Sequence, residues 1–188
     1  QDFWRLSGIY RDVYLMHTPD THIRHFKVTP TLTDNYQQGV LSIKTHIKNY
    51  GIDTENLILK NTLYDQAGSV VTALDPIALK LIGSDEQVLE QKTMIKEISP
   101  WTAETPNLYR IVLSISNNND KVLENVSTKI GFRSVELQNG QMLVNGEPVI
   151  IKGVNRHEHD HVKGRTVDEA LMIKDIMLMK QFNINAVR

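Results

Sequence analysis

The sequence predicts a mainly β chain in which a two-sheet sandwich leads into the opening strand–helix–strand segment of an α/β barrel. Three observations carry that reading. From about residue 21 to 133, apolar side chains recur at every second position, the period of half-buried antiparallel strands. Clusters of Gly, Asn and Asp cut this stretch into short runs. After residue 133 come a nearly continuous apolar strand, a helix-period segment and the start of another strand.

The first residues precede the sandwich. Phe3, Trp4, Ile9, Tyr10, Val13, Tyr14 and Leu15 favour strand, with a bend at Ser7-Gly8 and a turn or linker at Thr18-Pro19-Asp20. This segment is too short to bury its own aromatics, so it is expected to belong with a preceding domain or to pack on the next one. In the sandwich, Leu41, Ile43, Thr45 and Ile47 alternate with Ser42, Lys44, His46 and Lys48. Leu57 and Leu59 alternate with Lys60 and Thr62, and Tyr109, Ile111, Leu113 and Ile115 oppose Arg110, Ser114 and Ser116. Turns are expected at Asn49-Tyr50-Gly51, Asp65 to Gly68, Gly83-Ser84-Asp85 and Asn117 to Asp120. Roughly seven strands in this span suit a sandwich of immunoglobulin type.

Asn139-Gly140 and Asn145-Gly146 are hairpin-turn signals. Val149-Ile150-Ile151 then runs into Gly153-Val154-Asn155 as the apolar strand. A helix is expected from about Thr166 to Phe182, with Thr166 and Glu169 as a capping box and Leu171, Ile176, Leu178, Met179 and Phe182 as its apolar face. Asn185-Ala186-Val187-Arg188 begins the next parallel strand. Apolar faces on this segment lack their partners within the chain, which predicts that it is poorly ordered or packs against a neighbour.

Composition narrows the function classes. A formal net charge of −1 with no like-charge run gives no electrostatic footprint for nucleic acid or an anionic membrane. No apolar run is long enough to span a bilayer. The absence of cysteine excludes disulfides, thiolate metal sites and a cysteine nucleophile, and leaves the compartment open. The opening Gln1-Asp2-Phe3-Trp4-Arg5 has no starting Met or signal-peptide pattern, so a longer parent is expected.

Chemistry concentrates in Gly153-Val154-Asn155-Arg156-His157-Glu158-His159-Asp160-His161 and at Arg188. Both lie at the C-terminal ends of candidate barrel strands, where barrel enzymes place polar groups. The two-residue spacing of His157, His159 and His161 leaves three readings: a zinc site, polar loop histidines, or a substrate pocket. Arg156 reads as a structural ion pair, because a buried guanidinium needs a carboxylate. Arg188 is positioned to steer a catalytic carboxylate. Glu158 and Asp160 are acid/base candidates, whereas Asp168, Glu169 and Asp175 suit capping, helix-dipole and surface roles. Trp4 and Trp101 are candidates for sugar stacking, with packing at a sandwich edge the simpler use of Trp101.

Four stretches together resemble glycoside hydrolase family 2, and within it the large bacterial β-galactosidases: Trp4 to Val13, Trp101 to Tyr109, Gly131-Phe132-Arg133, and Asn145 to Arg188. The resemblance implies that residues 1–18 end a sugar-binding jelly roll, 19–133 form the immunoglobulin-like sandwich, and 134–188 begin a catalytic (β/α)8 TIM barrel. It implies retaining hydrolysis of terminal non-reducing β-D-galactosyl residues by two glutamates. His157 would contact the galactosyl unit and stabilise the transition state, and Arg188 would hold the nucleophilic glutamate. Asp2 would bind sodium and the sugar's 6-hydroxyl.

Magnesium and sodium are expected for the full-length enzyme, the magnesium ligands lying outside this chain. Neither catalytic glutamate matches a position here, so the chain alone is expected to be inactive. The parent is expected to be a homo-oligomer acting on β-galactosides, cytoplasmic or periplasmic, with no nucleic-acid or membrane partner. The alternatives are a β-glucuronidase or β-mannosidase of the same family, or a non-catalytic sandwich module. The His-Glu-His run favours galactosidase, because glucuronidase-like sequences diverge after the first His-Glu pair.

Overall fold

A computed structural model describes residues 8–9, 11–33 and 35–188. The chain divides into two compact units, one of His17–Val149 and one of the described residues up to Met16 together with Ile150–Arg188.

The larger unit contains β1 (Thr21–Leu32), β2 (Gly39–Asn49), β3 (Glu55–Tyr64), β4 (Val70–Ala73), β5 (Ile77–Leu81), β6 (Glu86–Ile95), β7 (Tyr109–Asn117) and β8 (Val122–Ile130). One sheet has the order β1-β2-β6, and the other has β4-β3-β7-β8 with β5 also on β3. All these pairings are antiparallel. There are thus eight strands rather than about seven. The additional one arises because β4 and β5 occupy successive lengths of the same β3 edge, against Thr62–Tyr64 and Glu55–Leu59.

Period-two alternation decides which side chains face inward. Leu41, Ile43, Ile47, Leu57, Leu59, Leu63, Ile111, Leu113 and Ile115 are buried between the sheets with Phe132. Asn61 shares this interior, where its Nδ2 donates to Gln91 Oε1 of the opposite sheet at 2.6 Å and so joins the two layers. Ser116 departs from the expected outer face and is buried. A register shift between Ile115 and Ser116 turns consecutive residues inward.

The turn at Asn49 forms because its Oδ1 accepts from Gly51 N–H and its Nδ2 donates to the Asp53 carbonyl. The edge strand β1 has its Ile23 N–H bonded to Glu124 Oε2 on β8 at 2.7 Å. Gly131-Phe132-Arg133 closes the unit around Trp101. Trp101 N–H donates to the Phe132 carbonyl, the Arg133 guanidinium lies 4.7 Å from its ring centre, and a Cβ on Gly131 would fall 2.8 Å from its Cβ. Packing at a sandwich edge is therefore the role that Trp101 takes.

A small meander follows, of β9 (Val135–Gln138), β10 (Gln141–Val144) and β11 (Glu147–Pro148). Its turns are Asn139-Gly140 and Asn145-Gly146, with all four residues at positive φ as a two-residue hairpin turn requires. Asn145 also accepts from Ser134 N–H and donates to the Trp101 carbonyl.

The smaller unit contains β12 (Gly153–Val154), α1 (Glu169–Gln181) and β13 (Ala186–Val187), with β12 and β13 parallel. Three sequence expectations need correction here. Among the described residues 8–9 and 11–19 no strand occurs, and Val13, Tyr14, Leu15 and Met16 are exposed, while Phe3, Trp4 and Tyr10 of the expected strand lie outside the described residues. The apolar strand from Val149 shrinks to Gly153–Val154, with Ile150 and Ile151 exposed, since β13 pairs only with that part. The helix begins later than Thr166: Asp168 is the N-cap, extended in backbone and accepting from Leu171 N–H. α1 has no buried residue; Ile176, Leu178 and Phe182 of its apolar side are exposed.

Candidate active site

The site is built on β12 and β13. Gly153 pairs with Ala186 and Val154 with Val187. Backbone bonds continue past these residues, from Asn185 N–H to the Lys152 carbonyl, from Arg188 N–H to that of Val154 and from Arg156 N–H to that of Arg188, at 3.0–3.1 Å. In a parallel ladder, a residue bonded to positions i and i+2 of its neighbour lies opposite i+1. Arg188 therefore lies opposite Asn155. Alternation along the ladder then puts Asn155 and Arg188 on one face and Val154 and Arg156 on the other, while His157 lies past the last ladder bond. Asn185 secures the entry, its Oδ1 accepting from Lys152 N–H and its Nδ2 donating to the Ile150 carbonyl.

The two arginines thereby separate by face. Arg156 turns to α1, where its Nε donates to Asp175 Oδ2 at 2.8 Å, and its Nη1 lies 3.8 Å from Glu158 Oε1. Glu158 is also bridged by Arg11. Arg156 is thus the structural ion pair read from sequence, with a side chain only 16% exposed. Asp175 departs from the reading as a capping or surface residue. It sits within α1 and holds Arg156, a role with no local signal because the two lie 19 positions apart. Arg11 was likewise not singled out as a site residue, its acidic partner being far along the chain.

A shallow hollow of about 350 Å³ lies between this strand end and the helix, with Arg156, His157, Asp175 and Phe182 in its lining. A larger one of about 640 Å³ lies on the outer face of the five-stranded sheet. Its single carboxylate, Asp65, accepts from Ser69 N–H across its own turn, so that hollow offers no acid/base pair.

The remaining acidic candidates are committed to local structure. Asp160 accepts from the N–H groups of Val162 and Lys163, at 2.8 and 2.7 Å, and these bonds hold its carboxyl below the ordinary aspartate range. Asp168 is lowered first by the Lys163 ammonium, at 2.5 Å, and then by Leu171 N–H. His157, His159 and His161 are exposed, and the segment carrying them is no continuous strand that would align them. Among the described residues, no group of three or more His, Cys, Asp or Glu side chains is disposed to hold a metal ion. Asp2 and Trp4 lie outside the described residues. Among those described, no helix is long and apolar enough to cross a membrane.

An immunoglobulin-like sandwich followed by a parallel strand–helix–strand unit with polar strand ends defines the class: a sandwich leading into the opening segment of an α/β domain. Residues 21–133 match the profile of glycosyl hydrolases family 2 and residues 135–188 that of the family's TIM barrel domain, and the chain belongs to this family.

It is 48% identical over 191 residues to a β-galactosidase of Priestia megaterium and 43% identical over 188 residues to one of Alteromonas mediterranea. Each alignment covers 100% of this chain and 18% of the relative, so the chain spans under a fifth of their length. Among solved structures, Bacteroides uniformis β-glucuronidase superposes with a TM-score of 0.81 at 23% identity, over 91% of this chain and 21% of that one. A putative β-galactosidase from Bacteroides fragilis gives 0.82 at 21% identity, over 91% and 26%. At such identities these two likenesses describe the fold alone.

Proposed function

We propose that the chain is a segment of a retaining β-galactosidase that hydrolyses terminal non-reducing β-D-galactosyl residues. The observation that carries this reading is 48% identity to a β-galactosidase across the whole chain. In the parent, residues 1–18 end a jelly roll, 19–133 form the sandwich and 134–188 open the barrel. The parent is a homo-oligomer.

The pairing of Asn155 with Arg188 across the ladder, and the place of Asn155 and His157 in one hollow at the strand end, support a sugar pocket there. An imidazole N–H of His157 donates to a sugar hydroxyl, and the bond strengthens as positive charge develops on the ring. The Arg188 guanidinium offers a planar fork that fixes a carboxylate supplied by another barrel strand. Retaining hydrolysis needs two carboxyl groups about 5 Å apart, one as nucleophile and one as acid/base. Glu158, Asp160, Asp168 and Asp175 are each engaged by a cation or backbone N–H. Neither glutamate of the family mechanism matches a position in this sequence, so the reacting pair is supplied by other parts of the parent. Among the described residues no group of three or more His, Cys, Asp or Glu side chains is disposed to hold either ion. Asp2 remains the proposed sodium and 6-hydroxyl ligand.

The test is turnover of aryl β-galactoside and aryl β-glucuronide by the full-length parent and by the purified 188-residue chain. The parent is expected to cleave the galactoside and the chain neither. His157→Ala in the parent is expected to lower kcat about 10²- to 10³-fold, the scale of losing one transition-state donor. Preference of the parent for the glucuronide would overturn the substrate assignment, and activity of the chain alone would overturn the account of the missing carboxylates.

A further inference from the structure

Arg156 is engaged by three parts of the smaller unit. Its backbone N–H donates to the Arg188 carbonyl at 3.0 Å, tying β12 to β13. Its Nε donates to Asp175 Oδ2 at 2.8 Å, tying the strand end to the middle of α1. Its Nη1 approaches Glu158, which Arg11 bridges from the N-terminal segment. Only 16% of the side chain is exposed, so bulk water screens this pair less than a surface one. His157 is the next residue, and both line the hollow between the strand end and α1. The peptide between them is planar and stiff, so a rotation of Arg156 about the strand axis carries the His157 Cα and Cβ with it.

We infer that the Arg156–Asp175 ion pair is a positioning device for the proposed reaction. It fixes the azimuth of the strand end, and through it the aim of the His157 imidazole at the sugar. Arg156 itself touches no substrate, because its guanidinium is spent on α1. The inference rests on the β-galactosidase reading for its kinetic consequence, but not for its structural one. An arginine is required because Nε and Nη1 serve Asp175 and Glu158 together, whereas a lysine ammonium on a flexible stem provides one point charge.

The experiment is a double-mutant cycle in the full-length parent, crossing Arg156→Lys with His157→Ala. With His157 present, Arg156→Lys is expected to lower kcat for an aryl β-galactoside about 100-fold, the scale of a misplacement near 1 Å, with KM within about threefold. With His157 already Ala, the same substitution is expected to cost less than about threefold, because the group it aims is gone.

Asp175→Ala is the second arm. It removes the other half of the pair from a half-exposed helix site where alanine is the best helix former, so folding is retained. It is expected to repeat the pattern, and to speed amide exchange at residues 154–160 while leaving the sandwich strands unchanged. Equal losses in both His157 backgrounds, or a rise in KM at constant kcat, would overturn the positioning role. If the wild-type parent turned over no β-galactoside, the functional reading would fall. The exchange measurement would then still decide whether the pair orders the strand end.

Discussion

Phe132→Ala tests whether the sandwich core is organised around the Gly131-Phe132-Arg133 closure. Phe132 is fully buried, its ring meets Tyr109 edge to face at 5.5 Å, and a Cβ on Gly39 would come within 3.0 Å of it. Truncation removes a whole ring from a site with a rigid rim. Gly39 begins β2 and Tyr109 begins β7, so neither can move in to refill the space without breaking ladder bonds. The expected cost is therefore that of an uncollapsed aromatic cavity, about 3–5 kcal/mol.

With a urea slope of about 2 kcal/mol/M, the unfolding midpoint should fall by about 1.5–2.5 M. Trp101 fluorescence follows this transition, since Trp101 N–H is bonded to the Phe132 carbonyl. The measurement belongs in a Trp4→Phe background, so that one indole reports. A loss below about 1 kcal/mol would show that the closure is not part of the cooperative core, and the reasoning would be wrong.

Two further outcomes are expected. Asp160 and Asp168 both have folded-state carboxyls below the ordinary value, so their contribution is complete above the unfolded value near pH 4 and lost as pH falls through the folded ones. Acidification should therefore release the 160–168 turn and the first turn of α1, read as faster exchange or shifted amide resonances at Val162, Lys163 and Leu171; resonances unmoved down to pH 2 would refute it. Gly146→Ala should lower the urea midpoint by more than Gly140→Ala: both glycines have positive φ, but only at Gly146 does a Cβ meet another group, the Tyr36 ring at 2.6 Å. Equal midpoints for the two variants would contradict the crowding argument.

The sandwich was legible because its signal is local. Alternation at Leu41 to Ile47 and at Tyr109 to Ile115 names the inward face whatever the partner strand. The Asn-Gly turns need only their own two residues. What escaped was set by partners. Val149 to Ile151 is apolar and β-branched, yet a ladder forms only where β13 supplies one, at Gly153–Val154. Residues 13–16 find no such neighbour.

Thr166 and Glu169 satisfied a capping pattern, but Thr166 N–H is spent on the Lys163 carbonyl and Val167 is buried. Asp168, with Lys163 beside it, takes the cap instead. For the site, residue types and strand parity were readable, and the ladder sets Asn155 opposite Arg188. The Arg156–Asp175 contact was not readable, since it depends on how α1 lies against the strand.

The bond from Ile23 N–H to Glu124 bears on how the molecule avoids sticking to itself. β1 is an edge strand of twelve residues, a length that invites another chain to add on by backbone pairing. Pairing there would need a row of open donors. Pro30 brings no N–H at all, and the donor of Ile23 is occupied by a carboxylate from the opposite sheet. Lys27 adds positive charge along the same strand, whereas Arg24 is paired with Glu86. A second strand approaching this border meets a missing donor near one end and an occupied one near the other, so the three-stranded layer resists growth by recruiting a neighbour.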